Sequence, residues 1–95
     1  MLYVDLPLSK IKEKLVAYGL TKTSSKRFIR YEKRVNEDSH IIVGVEISKY
    51  HNIYELMCYW YSDITKENCD NDTMILKLVN NDLAKLFSDN LIANE

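Results

Sequence analysis

Four side chains of this 95-residue chain could ligate a metal ion or activate a thiol: His40, His51, Cys58 and Cys69. Two imidazoles and two thiolates suit tetrahedral zinc, but such sites are built on close pairs of the C-x2-C kind, and no such pair occurs here. A Cys–His couple needs an exposed thiolate beside a base. Cys69 lies in the acidic stretch 66–72, whose carboxylates oppose ionisation, and Cys58 falls on the apolar side of an alternating segment. No Ser–His–acid order, glycine-rich loop or nucleophile elbow is present, and the Asp/Asn-rich stretch lacks the glycine of an EF-hand loop. These residues read as a core thiol, two turn histidines and a polar loop. The expectation is a protein without catalytic residues, metal, cofactor or small-molecule substrate.

Chemistry of another kind is concentrated in residues 26–34, which hold all three arginines and two of the ten lysines. About twenty residues later comes an aromatic run with Tyr54, Met57, Tyr59, Trp60 and Tyr61. Arginine, tyrosine and methionine are the residues enriched where proteins meet. The net charge is only −1, yet residues 1–35 carry nine basic and three acidic side chains, while residues 63–95 carry three basic and seven acidic. Such asymmetry marks either a nucleic-acid face or two halves that attract each other.

The elements that must position these residues follow from periodicity. Leu8, Ile11, Leu15 and Tyr18 recur at helical spacing, so a helix is expected over 7–18. Pro7 suits its first turn, Ser9 or Asp5 its cap, and Gly19 followed by Leu20 its end. Leu2, Tyr3 and Val4 form a short extended arm, and 21–25 reads as a loop. Three alternating segments follow. Ile29, Tyr31 and Val35 oppose Phe28, Arg30, Glu32 and Arg34. Ile41, Val43, Val45 and Ile47 oppose Ile42, Gly44, Glu46 and Ser48. Tyr54, Leu56, Cys58 and Trp60 oppose Ile53, Glu55, Met57, Tyr59 and Tyr61.

Parity sets the register. An even loop at His51 and Asn52 pairs odd positions of the second strand with even positions of the third, which gives one continuous apolar face. Around the turn at 36–39 an even loop would bury Arg30, Glu32 and Arg34, so an odd loop or a bulge is required, with Ile29, Tyr31 and Val35 inside. Lys33 is then the misfit and belongs near an edge, where its head reaches water.

Ile75, Leu76, Val79, Leu83, Leu86 and Phe87 make one helical stripe, capped by Asp72 or Thr73. The residues Asn80, Asn81 and Asp82 are poor helix formers and permit another division, a short strand over 74–79 with a helix from 82. The unbroken stripe favours a single helix, after which the last few residues fray.

The order helix, three-stranded meander, helix is similar in topology to the double-stranded-RNA-binding domain. That family's second helix opens on lysines that grip phosphates across the major groove. Here residues 71–77 open on acid and carry one lysine, so the resemblance implies nothing about function.

The expected fold is therefore a single α+β domain over 1–95: a helix, a three-stranded antiparallel meander and a second helix, with both helices on one sheet face. The other face carries Phe28, Arg30, Arg34, Ile42, Met57, Tyr59 and Tyr61, too apolar and aromatic for plain solvent. The function expected from it is binding of another protein, or of a second copy of the chain. The alternative is single-stranded nucleic acid, with Tyr59 and Tyr61 stacking bases while Arg27, Arg30 and Arg34 hold phosphates. Glu32, Glu46 and Glu55 on the same face oppose that alternative. No apolar run approaches the ~20 residues of a membrane span, and the first residues lack a secretory pattern, so a cytoplasmic location is expected. The excess of Lys, Asn, Ile and Tyr is the bias of AT-rich coding, and size with bias suits a regulator or inhibitor from a phage or mobile element.

Overall fold

The computed structural model describes residues 1–23, 27–64 and 73–95. The elements are β1 (Leu2–Val4), α1 (Leu8–Tyr18), β2 (Thr21–Lys22), β3 (Ile29–Arg34), β4 (Ile41–Tyr50), β5 (Ile53–Ser62), α2 (Thr73–Leu86) and β6 (Leu91–Asn94), the last preceded by a 3-10 turn at Ser88–Asn90. The six strands form one sheet in the order β2-β3-β4-β5-β1-β6, with every neighbouring pair antiparallel. The α+β class and the meander of β3, β4 and β5 match the sequence reading. The strand count does not: β1, β2 and β6 are additional, and they take the topology away from that of the double-stranded-RNA-binding domain.

The β4–β5 hairpin pairs ten residues with ten, from Ile41 opposite Ser62 to Tyr50 opposite Ile53. Its turn is His51 and Asn52, with His51 at φ 54°, the left-handed value that two-residue hairpin turns require at their first central position. Val43 therefore faces Trp60, Val45 faces Cys58 and Ile47 faces Leu56. Between β3 and β4 the register is odd with odd, Ile29 with Ile47 and Tyr31 with Val45, as the loop argument requires. Val35 departs from expectation. It lies just past β3, sends its N–H to the Ile41 carbonyl and remains 44% exposed. Lys33 is at the margin, its ammonium 4.1 Å above the Tyr18 ring.

Both helices cover one face. Ile11 and Leu15 from α1, Val79 and Leu83 from α2, and Phe87 just past α2 join Val43, Val45, Ile47, Leu56 and Trp60 in a single core. Neither Ser9 nor Asp5 caps α1. The Pro7 carbonyl accepts from Lys10 and Ile11 N–H instead, because Asp5 is tied through its own backbone to Asn90. At the other end Gly19 takes φ 109° and Leu20 N–H returns to the Leu15 carbonyl, burying Leu20. Residues 74–79 are helical, so the single-helix division is the right one. The asparagines are used outward: Asn80 Nδ2 donates to Asn94 Oδ1 (3.0 Å), and Asp82 accepts from the Tyr18 hydroxyl (2.8 Å). Asp72, Lys26 and Cys69 lie outside the described residues, as does the side chain of Thr73.

The segment expected as an arm is instead an interior strand. β1 pairs with β5 on one side and β6 on the other, and Leu2 and Val4 are fully buried. The residues expected to fray supply that outer neighbour. No helix among the described residues is long and apolar enough to cross a membrane. Leu2→Ala is expected to cost about 2–5 kcal/mol, the range for truncating a buried leucine, read as a lowered urea midpoint with an unchanged slope.

Candidate interaction face

The face without helices is set out in cross-strand rows. Arg34, Ile42 and Tyr61 form one row, Glu32, Gly44 and Tyr59 the next, and Arg30, Glu46 and Met57 the third. Beyond them come Ser48, Glu55, Tyr3 and Ala93, then Tyr50 and Ile53. The residues of β3, β4 and β5 expected on this face from alternation are there, and five strands rather than three supply it.

The centre of the face depends on Gly44. A β-carbon there would fall 2.5 Å from Tyr59 Cζ and 2.9 Å from Glu32 Cγ. The missing side chain lets the Tyr59 ring lie across β4 and reach β3, where its hydroxyl donates to Glu32 Oε2. Tyr61 donates to the other oxygen, Oε1, at 2.8 Å. One carboxylate thus holds two phenols, whose rings stack at 6.3 Å and 12°. Burial first, then the hydrogen bond and charge of Glu32, push the Tyr61 phenol up to about 12 and that of Tyr59 higher still.

The arginines are engaged from within. Arg30 Nε donates to Glu46 Oε1 at 2.9 Å, and its guanidinium lies over the rings of Phe28 (4.6 Å) and Tyr59 (5.6 Å). Arg34 donates to Asp63 Oδ2 at 2.5 Å and to the Ser39 carbonyl at 2.8 Å. The Arg34 hydrogen bond, aided by one from His40, holds Asp63 below its ordinary range. Ile42 is only 9% exposed, covered between its row neighbours, and offers a partner little surface. Phe28 is 41% exposed, Met57 half-buried, and Arg27 exposed just before the strand.

Among the described residues the candidate catalytic and metal-ligating side chains are not brought together, and Cys69 lies outside those residues. His40 and His51 sit at opposite ends of β4, about 30 Å apart at ~3.3 Å per strand residue. His40 Nδ1 meets Asp63 Oδ1 at 3.0 Å, but the neighbouring Ser39 Oγ is committed to the Ile41 N–H. Cys58 is a free thiol that burial pushes up to about 11, so little thiolate exists at neutral pH. Among the described residues no group of three or more His, Cys, Asp or Glu could hold a metal ion.

Two face residues escaped the sequence reading. Tyr3 and Tyr50 meet at 5.4 Å and 60°, and the His51 ring stands edge-on to Tyr50 at 4.5 Å. Tyr50 continues the even positions of β4, so alternation could have found it; Tyr3 needed the pairing of β1 with β5. Comparison of the chain with protein-family models, curated proteins and solved structures gives no match.

Gly44→Ala is expected to cost about 1–3 kcal/mol in urea unfolding, because the Tyr59 ring must leave its place over β4. Alkaline titration gives a second check. The Tyr61 pKa is raised on folding from about 10 to about 12, so the protonated phenol stabilises the fold fully below pH ~10. That contribution is lost as pH rises through about 12. By tyrosinate absorbance Tyr18 and Tyr61 should ionise near pH 12, and Glu32→Gln should bring Tyr59 and Tyr61 forward.

Proposed function

We propose that this protein acts by binding another protein across its open sheet face, as a regulator or inhibitor that needs a surface and no chemistry. The observation that carries the reading is the internal neutralisation of the face. Arg30 is matched by Glu46, Arg34 by Asp63, and the Glu32 carboxylate by two tyrosine hydroxyls. What this leaves outward is a set of rings and a thioether held in place before any partner arrives. Contact groups already fixed in this way lose little entropy on association. Aromatic residues surrounded by satisfied polar groups are the usual composition of a binding hot spot.

The same pairing weighs against single-stranded nucleic acid. A phosphate would have to displace Glu46 or Asp63 from its arginine. The rings of Tyr59 and Tyr61 stack on each other, and Arg30 lies over Phe28 and Tyr59, so few ring faces remain for bases.

The test uses Phe28→Ala and Tyr50→Ala, two exposed positions outside the Glu32 network. The double variant should keep the wild-type melting temperature. Protein retained from a lysate of the source cell by the wild type, or a dimer found by solution mass, should be lost, with the purified pair weakened at least tenfold. The reading fails if wild type and variant retain the same proteins and share one mass. It also fails if the wild type binds labelled oligonucleotides with steep salt dependence that Arg30→Ala/Arg34→Ala removes.

A further inference from the structure

The open face is not uniform. The charges of Arg30, Arg34, Glu46 and Asp63 cancel in pairs, whereas the corner formed by β1, β6 and the β4–β5 turn holds two carboxylates, Glu55 and Glu95, against one cation, the Met1 ammonium. A pocket of about 190 Å³ lies there, lined by Tyr3, Tyr50, Ile53, Ile92, Ala93 and Glu95. Glu55 stands directly across from Tyr3 in the β1–β5 register, with Ser48 on its other side. Among the described residues neither Glu55 nor Glu95 takes part in an ion pair, in contrast to Glu46 and Asp63. The Met1 ammonium donates to the backbone carbonyl of Glu95 and not to either carboxylate. Burial, then Glu55 and Glu95, raise the Tyr3 phenol above its ordinary value, so both negative charges are felt at its ring.

We infer that this pocket receives an arginine side chain of the bound protein. The inference rests on the proposed use of the face and names the chemistry of the partner at one corner. The Tyr3 and Tyr50 rings touch each other at 5.4 Å and 60°, so a planar cation meets the solvent-exposed side of Tyr50 and is attracted by the ring quadrupole there. Carboxylates beside them supply acceptors for guanidinium N–H groups, which match a carboxylate two at a time. The aliphatic stem of the arginine meets Ile53 and Ile92. This chain uses the same combination at the other end of the face, where its own Arg30 lies over Phe28 and Tyr59 and donates to Glu46. The Tyr3 corner has the rings and two carboxylates for one ammonium, and the second cation comes from outside.

The probe is N-acetyl-arginine amide, titrated into the full chain while the ring signals of Tyr3 and Tyr50 are followed by NMR. Neutral N-acetyl-citrulline amide serves as the control. Saturable shifts of both rings are expected with the arginine probe and none with citrulline. Glu55→Gln should weaken binding at least fivefold, Tyr50→Ala should abolish it, and Phe28→Ala should leave it unchanged. Shifts that do not saturate, that citrulline reproduces, or that survive Glu55→Gln unchanged overturn the inference, and so does an equal response to the lysine analogue. None of these outcomes bears on whether the rest of the face binds a protein. Conversely, failure of the capture experiment removes the biological setting and leaves the titration result standing.

Discussion

Ten residues paired with ten across the His51–Asn52 turn determine the rest of this molecule. Because the turn is even, odd positions of β4 and even positions of β5 share one side, and each later element is laid on one or other of these two surfaces. A slip of one position would send Val43, Val45 and Ile47 outward and bring Glu46 beneath the helices. The apolar side is deep enough to hold two helices. The opposite side is left to cover itself with its own side chains, and the arrangement around Gly44 follows from that.

The covering of the open side is a compromise between burial and satisfaction of polar groups. A phenol lying flat over a sheet hides apolar surface but carries a hydroxyl that must bond. Glu32 answers that need for Tyr59 and Tyr61 together, and it can do so only because Gly44 keeps the space between β3 and β5 open. Four residues on three strands thus make one unit. Its rigidity gives the face a defined shape in the absence of any partner.

The long alternating strands and the amphipathic helices were legible in the sequence because period two and period 3.6 are strong signals over ten or more residues. The strands β1, β2 and β6 were not, being two to four residues long, and β1 and β6 are defined by partners far along the chain. Leu2, Tyr3 and Val4 contain no evidence of their own that they lie between Leu56 and Asn94. Asn80 and Asp82 looked like defects in a helix, and tertiary bonds to Asn94 and Tyr18 give them their place. Glu32 was read as a charge opposing phosphate, whereas its role is to accept from two tyrosines. A glycine inside a strand is itself a signal of close approach, and Gly44 was the residue that could have disclosed this.

The position of β1 has a consequence for how the molecule reaches its shape. The strand lies near the start of the sequence, yet one neighbour comes about fifty residues later and the other about ninety. Contacts of such separation are the slow ones to close, since the loop entropy is lost before the pairing rewards it. The pairing of β4 with β5 is local, whereas the β5 edge is covered only when β1 pairs with it, and β1 in turn only when β6 does. The outermost strand, β6, brings Ala93 to the Tyr3 corner, so that corner is complete only when the pairing most distant in sequence has formed.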